Sequence, residues 1–283
     1  MNGFGVTSMS APLRRVLVRR PALTGDWAGA GWRAPDAALL ARQHEDFCVL
    51  LDGLGCDVEV ADAQENLVDA VYMHDPVMLT GAGAIPLRMR KPVRATEPDL
   101  IASELERVGV PVLGRLPEDA WADGGDRFWI DDRTMAVGMG YRTTRAGVAA
   151  LAALVAPEGI EVVGYDLPHD AGPDHVLHLQ SLISAVTHDL LVVYEPLMPV
   201  RLLDDLRARG YDWLALAADE YLGMGANLLC VRPGVVVMVE GVPALQERLE
   251  ARGVEVHTYD GSELSLKGDG GPTCLTCPLL RTA

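Results

Sequence analysis

The chain has 283 residues, 49% of them hydrophobic and 23% charged, and a formal net charge of -16. That composition describes a soluble globular protein able to bury a real core, in one large domain or two ordinary ones. The acidity excludes a phosphate-backbone partner, which needs a basic face, and it suits a small cationic ligand, although solubility alone is reason enough for it.

Cys48, Cys56, Cys230, Cys274 and Cys277 form an odd, scattered set, unlike a secreted disulfide framework. Residues 1–13 are small and polar, lack the apolar core of a signal peptide and are expected to form a disordered tail. No apolar run approaches the length of a membrane span. The expected setting is reducing and cytoplasmic, with no membrane and no nucleic acid as partner.

In chain order, residues 15–19 read as a short buried strand stopped by Arg20 and Pro21. Residues 35–51 carry helical periodicity, with Leu39, Leu40, Phe47, Leu50 and Leu51 on one face, Pro35 in the first turn and Gly53 and Gly55 at the stop. A strand follows over 57–61. Another over 70–73 runs into His74-Asp75-Pro76, with 77–81 as its hairpin partner. Residues 97–108 form an amphipathic helix that ends at Gly109. The pattern then recurs as a hairpin of 127–132 with 134–138, a helix over 144–155 and a strand over 161–165. A hairpin of 176–182 with 190–194 and a helix over 200–209 come next. The last set is a hairpin of 227–231 with 235–239, a helix over 244–252 and a strand over 254–258.

The recurring unit is a β-hairpin, a helix and one more strand, at a spacing of roughly 50 residues, which points to a radial or stacked array. No linker-like stretch separates the units, so residues 14–283 read as one domain. The architecture expected is a closed α/β-propeller of ββαβ units around a central channel. A Rossmann fold is the weaker alternative, because no glycine-rich turn joins an early strand to a helix.

Four stretches could carry chemistry. His178 lies among leucines, where a histidine is commonly a satisfied core group. Asp123-Gly124-Gly125-Asp126 brackets a glycine pair with carboxylates, most simply as a turn. His74-Asp75-Pro76 closes a strand and is again turn-like. At the C-terminus Cys274 follows Gly268, Gly270 and Gly271, where backbone N–H groups can approach a bound group and a thiol can serve as nucleophile. Cys274 and Cys277 lack the second ligand pair of a zinc site, and a structural thiol is the simplest role for Cys277.

In combination these stretches resemble the guanidino-group modifying enzymes of the pentein fold: dimethylarginine dimethylaminohydrolases, arginine deiminases and amidinotransferases. The resemblance runs from Arg15 to Pro278. It rests on Asp75-Pro76, Gly124-Gly125-Asp126, Leu177-His178-Leu179, Gly225-Ala226-Asn227 and Gly270-Gly271-Pro272-Thr273-Cys274, all in the family's order. Ser262-Glu263-Leu264 and the stretch from Tyr141 to Thr144 look most like the dimethylargininase branch, and the Cys274–Pro278 ending more like arginine deiminase.

The resemblance implies a five-bladed propeller with the site in its channel, and hydrolysis of a guanidino C–N bond through an S-alkylthiouronium, needing neither metal nor organic cofactor. It makes Cys274 the nucleophile, His178 the general acid/base and Asp123 the carboxylate that holds substrate or histidine. Asp75, Asp126 and Gly271 would contact the substrate, and Arg142 and Arg94 would hold its carboxylate. The partner implied is a small cationic guanidine such as arginine or an N-substituted arginine, and a homodimer is the oligomer the resemblance leaves open. This chain departs from the pattern at Asp123, where many relatives carry Glu. It departs also at Gln180, where deiminases carry Asp, and at His74, where dimethylargininases often carry an acid. The enzymatic alternative is an amidinotransferase, in which an amine replaces water. A non-catalytic binding pentein ranks third.

Overall fold

The computed structural model describes residues 3–282 apart from Asp174 and Val176. Its strands gather into five small sheets. The chain opens with β1 (Leu13–Arg19), α1 (Ala37–Gly53) and β2 (Asp57–Ala61), in which β1 and β2 pair in parallel. Next come β3 (Val77–Leu79), β4 (Ala84–Pro86) and α2 (Glu97–Arg107), with β3 and β4 antiparallel and Ala84 bridged in parallel to Val112.

The full pattern then repeats. β5 (Arg127–Trp129) and β6 (Thr134–Met139) form a hairpin, α3 (Arg145–Val155) crosses over, and β7 (Glu161–Asp166) returns parallel to β6. β8 (Ile183–Ala185), β9 (Leu190–Val193), α4 (Val200–Ala208) and β10 (Asp212–Ala215) do the same. After the short α5 (Ala218–Leu222), β11 (Leu229–Arg232), β12 (Val235–Val239), α6 (Pro243–Glu250) and β13 (Glu255–Tyr259) repeat it again. Finally β14 (Cys277–Arg281) pairs antiparallel with β1, so the two ends of the chain together complete the first sheet in the order β14-β1-β2.

Local chemistry accounts for the element ends. Asp36 caps α1 by accepting from the N–H groups of Ala38 and Leu39, so Pro35 stands just outside the helix and not in its first turn. Thr144 caps α3 through the N–H of Gly147. The buried face of α1 consists of Leu40, Gln43, His44, Phe47 and Leu51, with polar Gln43 and His44 where Leu39 and Leu50 were expected. Gln43 is there because its carbonyl accepts from the backbone of Glu263 and Leu264, tying the helix to the C-terminal loop.

Several expectations are corrected. Residues 3–12 are not a free tail. Gly5 donates to the Leu279 carbonyl and accepts from Arg281, and Val6 is buried in the core. Residues 70–73 are not a strand: Val68–Val71 form a 3-10 turn, and the hairpin partner of β3 is β4. His178 is not in a strand either. It stands in extended conformation before a 3-10 turn at Leu179–Ser181, and the hairpin begins at Ile183; Val176, the expected start, lies outside the described residues. β10 and β14 appear where no strand was expected, and Pro278 is accommodated because β14 is an edge strand. Among the described residues no helix is long and apolar enough to cross a membrane.

Leu279 sits fully buried on β14 and packs with Val77, Leu79 and Val6, so it measures how far the C-terminal strand holds the fold. Leu279→Ala should cost about 2–5 kcal/mol in a urea melt. It should lower the midpoint and leave the slope unchanged.

Candidate active site

Each of the five sheets is entered through a short turn that carries polar side chains. His74 and Asp75 precede β3, Asp123 precedes β5, His178 and Gln180 precede β8, Asn227 precedes β11 and Cys274 precedes β14. Hydrogen bonds join these turns into a ring. His74 donates its backbone N–H to the Cys274 carbonyl at 3.1 Å, and Gly124 donates to the Asp75 carbonyl at 2.7 Å. The Leu179 N–H donates to Asp126 Oδ1 at 3.1 Å. Ser184 Oγ donates to the Ala226 carbonyl at 2.6 Å, and the Thr273 N–H donates to Asn227 Oδ1 at 3.1 Å.

Cys274 is a half-buried free thiol. Asn227 Nδ2 donates to its sulfur at 3.1 Å, with the amide oriented by the bond from Thr273. Burial, and then the charge of Asp75, push the thiol up to about 12, against the pull of Asn227, the Gly271 backbone and Arg94 toward the thiolate. Gly271 must lack a side chain, since a Cβ there would lie 2.7 Å from the Asn227 amide.

His178 Nε2 donates to Asp123 Oδ2 at 3.3 Å, and its Nδ1 lies 3.9 Å from Asp75 Oδ1. Burial alone would lower its pKa, but Asp126, Asp123 and Asp75 overcome that and raise it to about 9. The ring also needs a glycine beside it, because a Cβ on Gly125 would sit 2.4 Å from Nδ1. Asp75 is held from behind: Arg94 Nη1 donates to its Oδ2 at 2.5 Å, while Arg94 Nε and Nη2 engage Glu97 and the Tyr72 and Asp69 carbonyls. Burial pushes the Asp75 carboxyl up, but Arg94 and His178 bring it down to about 2. Two buried carboxylate oxygens, Asp75 Oδ1 and Asp123 Oδ1, are left without a hydrogen-bond partner. Both belong to carboxylates that flank His178.

A cleft of about 590 Å³ opens beside these residues, lined among others by Asn227, Ser181, Arg142, Arg33, Lys91 and Asp269. Arg142 reaches from its wall to within 3.9 Å of Asp123 Oδ2. Cleft and cluster therefore share Asn227, which holds the thiol, and Arg142, which neighbours the carboxylate. Among the described residues no group of three His, Cys, Asp or Glu side chains could hold a metal ion.

The family model for arginine deiminase matches residues 57–210 and 208–281 of this chain. The chain belongs to the arginine deiminase family. It is 30% identical over 280 residues to the arginine deiminase of Rhodococcus opacus, an alignment that covers 88% of this chain and 65% of that protein. The arginine deiminase of Mycobacterium marinum is 29% identical, with 87% and 65% covered. The chain thus spans 65% of the length of these curated relatives. Among solved structures it resembles the dimethylarginine dimethylaminohydrolase of Pseudomonas aeruginosa, a cysteine-to-serine mutant in complex with citrulline. The TM-score is 0.80 at 22% identity, over 96% of this chain and 100% of that one. The N-terminal domain of the cyanobacterial arginine dihydrolase ArgZ, bound to substrate, gives a TM-score of 0.80 at 17% identity, over 94% and 98%. The mixed α/β fold of this family member is that of those pentein structures.

Of the residues singled out from sequence, the structure brings Asp75, Asp123, Asp126 and His178 together, with Cys274 within the field of Asp75. Three have other surroundings than expected. Arg94 is buried and directs its donors to Asp75, Glu97 and backbone carbonyls, so it positions Asp75 from behind and does not line the cleft as a contact for a ligand carboxylate. Asp126 is also internal: its Oδ1 accepts from Leu179 and its Oδ2 from Thr143 Oγ1 at 2.6 Å, which fixes the backbone next to His178. Gly271 is buried and makes room for Asn227, with no open ligand face. Cys277 packs in the core with Leu279 and Val77, whereas Cys274 packs against a different cluster.

Asn227, Glu97 and Thr143 went unassigned in the sequence. Asn227 stood in a quoted family mark, and that was its only signal. Glu97 and Thr143 act through Arg94 and Asp126, a contact no spacing reveals.

His178 makes the cluster sensitive to pH. The folded protein retains its imidazolium proton up to about 9, whereas a free histidine loses it near 6.5. This contribution to stability is whole below 6.5 and disappears as pH rises through 9. Ring NMR of the unliganded protein should show His178 titrating near 9. A midpoint at or below 6.5 would mean that the three acids do not act on it.

Proposed function

We propose that this chain hydrolyses a C–N bond of a guanidine, with Cys274 as nucleophile and His178 as acid and base. The observation that carries the reading is the pair of unpartnered carboxylate oxygens, Asp75 Oδ1 and Asp123 Oδ1, on either side of His178. Buried acceptors without donors are costly, and a planar guanidinium carries several N–H groups that would satisfy both. The names of the relatives, arginine deiminase and arginine dihydrolase, support the same reading.

In the proposed reaction Asp75 and Asp123 orient the guanidinium with its carbon toward Cys274. The cation next to the sulfur favours thiolate over thiol, and the thiol proton leaves to solvent as the guanidinium binds. The thiolate attacks carbon, giving a tetrahedral adduct. His178 donates its proton to the departing ammonia or amine, the C–N bond breaks and an S-alkylthiouronium remains. Water then adds, with His178 taking its proton, and the C–S bond breaks to release a ureido product and the thiolate. Arginine or an N-substituted arginine giving citrulline is the substrate we infer, with Arg142, whose guanidinium faces the cleft, holding its carboxylate.

We propose also that residues 14–283 form one domain in which the five sheets are blades of a propeller around the site. The closed ring of hydrogen bonds between the entry turns supports this arrangement.

A panel of guanidines assayed for ureido product and released amine tests the reaction. Wild type should yield both, and Cys274→Ser neither. Amine released only with an added acceptor amine, and without ureido product, would mean transfer in place of hydrolysis, and silence across the panel would sink the enzymatic reading. Asp123→Asn keeps the shape and removes the charge. It should lower kcat by about 10²–10³-fold, as expected where electrostatic stabilisation is lost.

A further inference from the structure

Behind the cluster, on the side covered by the N-terminal segment, lies a small interior cavity of about 20 Å³. It has room for one guest of roughly the size of a water molecule. Arg127, Arg281, His74, Ser8 and Thr273 are among its walls, which are otherwise largely apolar.

The two arginines are the anomaly. Arg127 is 4% exposed and Arg281 8%. Among the described residues neither has a carboxylate within 4.0 Å, whereas the buried guanidinium of Arg19 pairs with Glu104 and that of Arg94 with Asp75 and Glu97. Arg127 Nη2 makes one long bond to the Val77 carbonyl at 3.4 Å, and its Nε has no partner. Arg281 donates to the Ala11 carbonyl at 2.7 Å. The nearest acid acting on Arg127 is Asp75, which Arg94 already engages. Neighbouring thiols do not help: burial raises Cys277 to about 12 and Cys230 to about 11, so both are neutral. Burial lowers Arg127 to about 10 and also lowers Arg281, and the charge of Arg281 lowers Arg127 further. Two buried cations side by side without a counter-ion cost several kcal/mol each unless something compensates them.

His74 adds a donor. Gln180 Nε2 faces the carbonyls of Arg127 and Gly124, which fixes that nitrogen as the donor end of the amide. It therefore donates to His74 Nε2 at 2.9 Å, and the imidazole proton resides on Nδ1. Burial and the charge of Arg127 keep the ring neutral, with a pKa of about 3. By hydrogen-bond geometry its Nδ1 has no partner, although the Thr276 backbone lies near enough to favour a proton on the ring. The unpartnered groups at this cavity are thus donors on cationic or neutral side chains, which suits an anion and excludes a metal ion.

We propose that the cavity binds a single monatomic anion of the halide class, chloride in the first instance, held between Arg127, Arg281 and His74. Its size admits one such ion and no oxyanion with a shell of oxygens. The ion's single charge would offset one of the two guanidinium charges under the turn that carries His74 and Asp75, and so acts on the fold whatever reaction the cluster performs.

The test uses the intact protein at constant ionic strength, exchanging chloride for gluconate, which is too large to enter. Tm should rise with chloride and saturate, as ligand linkage requires. Crystals soaked in bromide should show an anomalous peak within hydrogen-bonding reach of Arg127 Nε. Arg127→Met should abolish the saturable dependence; if that variant does not fold, the bromide peak in wild type decides alone. A water molecule in the cavity with no anomalous signal overturns the proposal. So does a dependence on chloride that never saturates and persists in Arg127→Met, since that is a bulk salt effect.

Discussion

Asp75 is the group on which the arrangement depends. A carboxylate 4% exposed would ordinarily give up its charge, and burial does push its pKa upward. Arg94, clamped by Glu97 and by backbone carbonyls, reverses that and keeps Asp75 ionised with one oxygen occupied and the other free. That free oxygen faces the His178 ring, and the same charge weighs against ionisation of Cys274. The ion pair therefore bears on the resting state of both groups, keeping the imidazole protonated together with Asp126 and Asp123 and the thiol protonated together with burial. Arg94 is conspicuous in the sequence as a cation near an acid. Its burial turns it from a ligand contact into the reason a buried acid can stay charged.

The second constraint is topological. Residues far apart in the chain meet because each stands at the same place in its sheet, in the turn that leads into the first hairpin strand. The last of these places is filled from the opposite end of the chain. β14 enters the first sheet antiparallel to β1, and so brings Cys274 beside His74, while residues 3–12 pack against β14 and close the structure from beneath. A strand pairing between the two termini thus delivers the thiol.

Much of this was legible in the sequence, and unevenly so. The helices over 97–107 and 145–155 and the strand over 57–61 fall within a residue or two of their expected bounds, because amphipathic periodicity and glycine stops are local signals. Residues 70–73 are as apolar as a strand, yet Val68–Val71 form a 3-10 turn that ends at Tyr72, since burial on all sides and a short apolar run do not distinguish the two. His178 among leucines misled for a similar reason: the flanking leucines are buried by the turn after it and not by alternation along a strand. β14 was hidden by Pro278, a residue that forbids a central strand and permits an edge one. The positions of Asp75, Asp123, His178 and Cys274 were readable as short marks in a fixed order. What Arg94, Asp126 and Gly271 touch was not, because a partner is decided by packing between distant segments.

His74 and Gln180, where the family resemblance led us to expect acids, take on meaning against this electrostatic background. Asp75, Asp123 and Asp126 already crowd one imidazole, and Asp126 is raised by burial to about 7. More ionised acids in the same space would be paid for in desolvation and mutual repulsion. Here Gln180 and His74 satisfy each other as a neutral pair, with Gln180 also tied to the Gly124 and Arg127 carbonyls. The cluster's negative charge is thereby concentrated on the two carboxylates that flank His178. In the proposed reaction a guanidinium arriving between them brings positive charge up to both the imidazolium and the thiol. A like charge makes the imidazolium easier to deprotonate, and an opposite one favours the thiolate. Both shifts run in the direction that attack and proton transfer require, so a ligand of the right charge prepares the very groups that act on it.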